Sequence, residues 1–188
     1  MLETISTFTD SYMQQRIKKI VVIGPESTGK STLSKALAEK LNTVWVAEYA
    51  RAYLAAQNNL YDFADLKIIA QGQIEAEALG ETRANQVLIC DTDLYVLKVW
   101  SEHKFNQVDP YILEQIAQRH YDAYILCNID MAWIADPQRE HPDPTMRQYL
   151  FHLYKDIVIE SGKPFIIVSG NEAERLKQAL ASNWFDLG

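Results

Sequence analysis

The stretch GPESTGKST, residues 24–32, decides the fold of this chain. It follows the apolar run KKIVVIG at residues 18–24, whose final glycine opens the stretch. That run is rich in β-branched residues, which predicts a buried strand followed by a turn. Beyond the stretch, Leu33, Leu37 and Leu41 recur at helical spacing, so the loop is predicted to lead directly into a helix.

The stretch matches the pattern G-x-x-x-x-G-K-[ST] through Gly24, Gly29, Lys30 and Ser31. Glycines at these positions let backbone N–H groups curl around phosphate oxygens, and the following helix directs its positive end at the same anion. Lys30 is expected to reach the β- and γ-phosphates of ATP, and the Ser31 hydroxyl to ligate Mg²⁺. The predicted ATP-binding set is Gly24, Pro25, Glu26, Ser27, Thr28, Gly29, Lys30, Ser31 and Thr32.

Strand-like and helix-like segments alternate along the rest of the chain. Predicted strands lie at 18–24, 43–50, 86–93, 123–129 and 164–170, and helical patterns at 62–82, 94–103, 110–120 and 172–181, with a further one marked by Tyr149, Leu153, Ile157 and Ile159. This order predicts an α/β fold of the P-loop nucleoside-triphosphate hydrolase or kinase class: a five-stranded parallel sheet with helices on both faces and a lid. Residues 1–17 are predicted to be an N-terminal extension, and residues 18–188 a single kinase domain.

Acidic residues stand at the ends of the second and third predicted strands, where a parallel sheet gathers its ligands. Asp91 is expected to hold Mg²⁺ with Ser31, although an acid there can also cap a helix. Asp93 is expected either to cap the next helix or to contact a substrate hydroxyl. Glu48 is the candidate general base, unless it only pairs with Arg51, which is itself a candidate contact for substrate. Whether Glu48 or Asp91 is the true base stays open.

A long irregular segment, residues 130–145, contains three prolines and is predicted to be a functional lid. Arg139 is the candidate cation that neutralises the transferring phosphoryl group, with Arg147 as the alternative; either can instead be a solvated charge. Trp133, Tyr49 and Tyr53 are aromatic candidates for stacking on a planar base, or else core residues.

Composition excludes several other classes of protein. The 188 residues are 48% hydrophobic and 23% charged, which is ordinary for one globular domain. A net charge of −7 argues against nucleic-acid binding, and neither a signal peptide nor a membrane-spanning run is found. Cys90 and Cys127 each end an apolar strand and are predicted to be free buried thiols in a reducing cytoplasm.

The remaining motifs narrow the kind of P-loop protein. The segment 128–131 lacks the lysine and spacing of the N-K-x-D element by which GTPases recognise their base. Thr92 follows Asp91, where a ring-forming ATPase usually has a water-positioning glutamate. A small phosphotransferase fits better, because it needs an acid at the end of strand 2 and an arginine-bearing lid. ATP and GTP are not distinguished by these motifs.

Taken together, GPESTGKST, EYAR at 48–51, DTD at 91–93 and AWIADPQR at 132–139 resemble the ribosylnicotinamide kinase domain of NadR-like NAD biosynthesis proteins. The resemblance extends over roughly residues 18–170 and implies ATP-dependent phosphorylation of nicotinamide riboside to nicotinamide mononucleotide. It implies that Gly24 to Thr32 bind ATP and that six residues surround the substrate and lid. These six are Glu48, Asp91, Asp93, Trp133, Asp136 and Arg139.

Fuller members of that family add a helix-turn-helix and an adenylyltransferase domain with an H-x-G-H signature, which this sequence lacks. The chain is therefore expected to supply the kinase activity only. A homo-oligomer and a separate adenylyltransferase partner are both compatible with it. The alternatives are a kinase for another nucleoside or nucleotide and a regulatory module that binds ATP without an acceptor.

Overall fold

The structure is a computed structural model that describes residues 16–185. Its five strands form one parallel sheet in the order β2-β3-β1-β4-β5. The strands are β1 Lys18–Ile23, β2 Trp45–Val46, β3 Val87–Asp91, β4 Ala123–Cys127 and β5 Phe165–Val168. The predicted α/β class and parallel sheet are confirmed.

Seven α-helices and a short 3₁₀ turn, Asn183–Phe185, are found in the described part of the chain. The helices are α1 Lys30–Lys40, α2 Tyr49–Ala56, α3 Phe63–Glu81, α4 Leu94–Phe105, α5 Pro110–Gln118, α6 Pro144–Glu160 and α7 Glu172–Leu180. None of these helices has the length and apolar character needed to cross a bilayer. The free thiols of Cys90 and Cys127 are both buried, as predicted.

Apolar residues cover both faces of the sheet. Ile20 and Val22 of β1 pack with Leu33 and Leu37 of α1, whereas Val21 and Ile23 face the layer that contains α4 and α6. Because neighbouring residues of a strand point to opposite faces, a strand covered on both sides is apolar throughout. This burial explains why β1 was recognisable in the sequence as a continuous apolar run.

The second strand is much shorter than the predicted 43–50. Its ladder consists of the pairs Trp45 with Ile89 and Val46 with Cys90, at the edge of the sheet. After Glu48 the segment YARAYLAA forms α2 instead. Alanine and leucine favour a helix once no strand partner extends the ladder, so Glu48 stands at a strand-to-helix junction.

The helix that Tyr149, Leu153, Ile157 and Ile159 indicated is α6, and its prediction is confirmed. Tyr149 and Ile159 are more than half exposed, whereas Ile157 is buried. Apolar residues thus occur on both the exposed and the buried face of α6.

The predicted N-terminal extension lies largely outside the described residues. Of its last two residues, Arg16 pairs with Asp122 and Ile17 packs against the core. The domain boundary at residue 18 stays a prediction.

Candidate active site

The loop between β1 and α1 has the backbone shape of a phosphate cradle. Gly24 has φ 140°, and a Cβ on it would lie 2.8 Å from the Cys127 carbonyl oxygen. Ser27 and Gly29 also have positive φ, 55° and 76°, a conformation that turns successive N–H groups inward. Lys30 begins α1 directly after Gly29, which has no side chain to cap the helix. The loop and helix N-terminus therefore offer unpaired donors to an anion.

Side chains hold the cradle in shape. The Thr28 hydroxyl donates to the Pro25 carbonyl at 2.8 Å from a fully buried position. Lys30 Nζ donates to the same carbonyl, also at 2.8 Å. Ser31 and Thr32 lie in the first turn of α1. The nine predicted residues thus form the loop between β1 and α1 together with the first turn of α1, as the motif requires.

A fully buried guanidinium ties this loop to the neighbouring strand ends. Arg175 of α7 is 1% exposed and donates to the carbonyl oxygens of Thr28, Asn128 and Gly170. It also pairs with the Asp130 carboxylate. No sequence pattern pointed to Arg175, because a charged residue in a polar helix is normally expected at the surface.

Asp91 lies at the end of β3 beside the phosphate loop and is only 1% exposed. Burial, and then the negative charge of Glu48, raise the pKa of its carboxyl from 3.8 to about 6, while Lys30 and a hydrogen bond from Ser31 oppose that rise. Its Oδ1 atom has no hydrogen-bond partner. A buried, unpaired carboxylate oxygen next to a serine hydroxyl is a suitable ligand pair for Mg²⁺, which commonly takes one or two protein ligands and completes its shell with phosphate oxygens and water.

Within residues 16–185, three or more His, Cys, Asp or Glu side chains nowhere gather as a metal-binding group. Asp91 and Ser31 therefore fit Mg²⁺ only as two protein ligands in a coordination shell that phosphate oxygens and water complete.

Asp93 is a helix cap and does not line the cleft described below. Its Oδ1 accepts the N–H of Tyr95 at 3.0 Å, and its Oδ2 accepts the Tyr124 hydroxyl at 3.0 Å. Burial raises its pKa to about 7 despite these bonds. Of the two uses considered from the sequence, the structure shows capping, and the expected contact with a substrate hydroxyl has no support from this position.

Glu48 and Arg51 face each other at the start of α2. Arg51 Nε lies 3.4 Å from Glu48 Oε2, and Arg51 Nη1 lies 3.4 Å from Asp136 Oδ2. A hydrogen bond from the Gln138 N–H is the main cause that lowers the pKa of Asp136. Asp136 therefore links the lid to α2 and does not line the cleft described below; its expected contact with substrate stays a prediction.

An open cleft of about 130 Å³ adjoins the phosphate loop. Its walls come from the loop, from α2, from α4, from the lid and from α6. The predicted residues that line it are Gly24, Pro25, Glu26, Lys30, Glu48 and Arg51. The residues that the sequence did not single out include Asn59, Tyr61, Val96, Val99, Trp100, His103, Gln138, His141 and Tyr154. A partial signal existed, because Val96, Val99, Trp100 and His103 share one face of the predicted helix at 94–103.

The aromatic side chains at this cleft are not the expected ones. The ring of Tyr49 packs against Gly72 of α3, where an added Cβ would lie 2.2 Å from it. Trp133 packs against Arg147, whose guanidinium carbon is 5.6 Å from the ring centre. Tyr61 and Trp100 line the cleft instead, 4.7 Å apart and edge to face. The stacking roles expected for Tyr49 and Trp133 stay predictions, and neither ring lines this cleft.

The predicted lid contacts the phosphate loop at Glu26 and Ser27. Glu26 Oε2 accepts the N–H groups of Glu140 and His141 at 3.0 and 3.2 Å. Arg139 Nη1 donates to Ser27 Oγ at 3.4 Å, and Arg147 Nη2 to the Ser27 carbonyl at 3.4 Å. Both arginines thus lie beside the phosphate cradle, which is where a charge-neutralising cation is needed.

The other side of the lid is held by α4. Lys104 Nζ pairs with Glu140 Oε1 at 2.9 Å and lies 4.0 Å from the centre of the Tyr61 ring. The imidazoles of His103 and His141 meet edge to face at 4.8 Å. The lid therefore covers the cleft between the phosphate loop and α4.

Known proteins resemble the chain in a family model, in overall sequence and in fold. A family model described as AAA domain matches residues 19–175. The trifunctional NAD biosynthesis/regulator proteins NadR of Salmonella typhimurium and Escherichia coli are each 26% identical to it over 156 residues. That match covers 81% of this chain and 38% of either relative, so the chain spans well under half the length of these curated relatives.

Solved structures show the same fold. A NadR protein in complex with NAD and AMP-PNP superposes with a TM-score of 0.74 and 23% identity, over 92% of this chain and 51% of that one. A NadR protein in complex with NR gives 0.71 and 24%, over 88% and 49%. Thymidylate kinase from Ehrlichia chaffeensis gives 0.58 and 15%, over 87% and 96%.

Proposed function

Because the chain belongs to the AAA domain family and joins its phosphate loop to a separate cleft, we propose that it is an ATP-dependent small-molecule kinase. The acceptor we propose is nicotinamide riboside, phosphorylated at its 5′-hydroxyl to nicotinamide mononucleotide in NAD salvage. The observation that carries the proposal is Glu48, a carboxylate that lines the cleft at its junction with the phosphate loop. A hydrolase has no need of an aromatic acceptor cleft beside its phosphate loop.

The proposed chemistry assigns one task to each group. Glu48 accepts the proton of the acceptor hydroxyl, whose oxygen attacks the γ-phosphorus while the bond to the bridging oxygen of ADP breaks. Lys30 leaves the Pro25 carbonyl and binds the phosphate oxygens, and Arg139 neutralises charge from the lid side, with Arg147 beside it. Bound Mg²⁺ would neutralise charge on the β- and γ-phosphates, held by Ser31 and Asp91. Positioning and electrostatics supply most of the rate.

The charges and rings of the cleft support a cationic acceptor. Nicotinamide riboside carries a fixed positive charge on an aromatic ring, which is attracted by carboxylates and by the faces of Trp and Tyr side chains. The cleft is lined by the carboxylates of Glu48 and Glu140 and by the rings of Tyr61 and Trp100. Each carboxylate has one cationic neighbour, Arg51 for Glu48 and Lys104 for Glu140. A NadR protein has been solved in complex with NR, which favours the same acceptor here.

A second candidate acceptor is a neutral nucleoside or a nucleotide. The fold shared with a thymidylate kinase favours this alternative, although Glu48 and Glu140 would repel an acceptor that carries a phosphate. If the chain is instead a regulatory module that binds ATP without an acceptor, no phosphorylated product forms.

One assay separates these functions. The protein is incubated with Mg-ATP and, separately, with nicotinamide riboside, uridine, thymidine, adenosine and thymidylate, and the phosphorylated products are quantified by chromatography. We expect nicotinamide mononucleotide, a kcat at least 100-fold lower in Glu48→Gln, and loss of turnover in Lys30→Ala. Lys35→Ala is the matched control, because Lys35 is an exposed lysine of the same helix.

Trp100→Leu tests the cleft itself and is expected to raise KM for the riboside about tenfold, from the lost ring contact. Absence of nicotinamide mononucleotide would overturn the proposed acceptor, and equal turnover of uridine would refute the role of the positive charge.

A further inference from the structure

The N-terminus of α2 is capped differently from those of most helices in the described part of the chain. Five of the seven helices, α3 to α7, are capped by the side chain of the residue before their first turn, which accepts a backbone N–H. In α1 the cap position is Gly29 at the phosphate cradle, and in α2 it is Glu48, whose side chain makes no capping bond. The two helices that are not capped by their own residue are the two that begin at the candidate active site.

A residue from another helix binds the first N–H of α2. The Oε1 atom of Gln73 in α3 accepts the N–H of Tyr49, the first residue of α2, at 2.9 Å. Gln73 is only 3% exposed. Its neighbour Gly72 lets the Tyr49 ring lie against α3 without a clash. The first turn of α2 is thus held at two points of Tyr49: its ring packs against Gly72, and its backbone N–H binds Gln73.

A packing role alone accounts poorly for the amide of Gln73. Its Nε2 atom is buried and has no hydrogen-bond partner, which is a cost that a methionine or leucine of similar size would avoid. The benefit that offsets this cost is the acceptor oxygen at Tyr49. The Tyr49 N–H belongs to the peptide that directly follows Glu48, so the bond to Gln73 fixes the backbone from which the Glu48 side chain extends.

For Glu48 the consequence is a carboxylate that stays in the cleft. Its Oε2 lies 3.4 Å from Arg51 Nε, and its side chain keeps one fifth of its surface exposed.

We infer that Gln73 is a positioning residue for the phosphoryl transfer: it holds the N–H of the peptide that follows Glu48 and so keeps the Glu48 carboxylate directed at the acceptor hydroxyl. The inference rests on the proposed function, in which Glu48 is the base. Gln73 itself does not line the cleft and acts only through Glu48.

Gln73→Met tests this by removing the acceptor oxygen while keeping the size of the side chain. The peptide between Glu48 and Tyr49 then loses its anchor and the Glu48 carboxylate its fixed direction, so kcat is expected to fall about fivefold, which corresponds to the loss of one hydrogen bond of ordinary strength. KM for ATP stays within twofold, because the phosphate loop is unchanged. Gln71→Met is the matched control, since Gln71 is an exposed glutamine of the same helix, and it is expected to leave kcat unchanged.

A double-mutant cycle with Glu48→Gln separates positioning from general damage. In the Glu48→Gln background the change at Gln73 should lower kcat by less than twofold, because the group it positions is gone. Gln73→Glu retains an oxygen that accepts the Tyr49 N–H and should keep kcat within twofold of the wild type. Gln73→Glu gives an independent test if Gln73→Met does not fold. A fivefold loss of kcat in Gln73→Glu would overturn the inference.

The outcomes for the two proposals differ. If Glu48→Gln retains the wild-type kcat, Glu48 is not the base and the proposed chemistry fails. If Glu48→Gln is impaired while Gln73→Met lowers kcat by the same factor in both backgrounds, the proposed function stands and the positioning role of Gln73 is refuted.

Discussion

Replacing Asp91 with asparagine should stabilise the nucleotide-free protein while it abolishes activity. The pKa of the Asp91 carboxyl rises from 3.8 to about 6 on folding, chiefly because burial removes it from water. At 1.36 kcal/mol per pKa unit, keeping this group ionised above pH 7 costs the fold about 3 kcal/mol. Asparagine has the same shape and no charge, but its buried amide needs partners of its own. We therefore expect a net gain of about 1 to 3 kcal/mol.

The pH dependence identifies the cause. A carboxyl whose pKa is raised by folding binds its proton more tightly in the folded state, so the wild type loses stability as pH rises from about 4 to about 7. The advantage of Asp91→Asn should be full at pH 7.5, should decline through pH 6, and should vanish near pH 4. For a chain of this length, each kcal/mol moves Tm by about 2 to 4 °C.

Thermal unfolding followed by circular dichroism at several pH values measures these shifts. Asp156→Asn, at an exposed aspartate of α6, is the control and should change Tm by less than about 1 °C. Adding Mg-ATP should raise the Tm of the wild type more than that of Asp91→Asn, because only the wild type keeps the carboxylate for the cation. A lower Tm for Asp91→Asn at pH 7.5, or a gain that persists at pH 4, would refute the reasoning.

Three further changes test contacts that hold the site together. Arg175→Met should destabilise the protein by about 3 kcal/mol in chemical denaturation, because the Thr28 carbonyl and its neighbours lose a buried charged donor. It should also weaken ATP binding in calorimetry. Unchanged stability would contradict this. Glu26→Ala should speed proteolysis of the lid and raise KM for the acceptor, since two lid N–H groups lose their acceptor, and a proteolysis rate equal to that of the wild type would count against it. Gly72→Ala should cost about 1 to 3 kcal/mol in thermal unfolding, because its Cβ meets the Tyr49 ring; wild-type stability there would mean that α2 shifts freely.

The parts that could be predicted from the sequence are those in which neighbouring residues carry the signal. The segment from Lys18 to Lys40 contains a buried strand, a glycine loop and a helix in one continuous pattern, and its prediction is confirmed. The resemblance to NadR-like proteins, drawn from short motifs, is likewise confirmed by the comparisons. Asp91 was found because a run of buried apolar residues ends at it.

The acceptor cleft was harder to predict because its walls come from separate segments. Tyr61 and Trp100 are 39 positions apart and meet only when the loop before α3 folds against α4. Trp133 and Tyr49 were preferred since they stand beside recognisable motifs, yet proximity in sequence does not determine which way a ring points. Helical periodicity places residues on a face, and only the packed fold shows whether that face lines a cleft or the core.

Buried polar residues are the second feature that could not be predicted from the sequence, and they bear most directly on the proposed phosphoryl transfer. Gln73 and Glu77 occupy buried positions of α3, but a pattern that assigns polar residues to the surface predicts an exposed side there. Glu77 is satisfied by Arg119 and Tyr121, whereas Gln73 keeps one amide donor unpaired. The hydrogen bond that offsets this unpaired donor is the one from the Tyr49 N–H to Gln73, and Tyr49 begins the helix that follows Glu48. Buried polar side chains next to a motif are therefore the positions where a structure adds most to what the motif alone predicts.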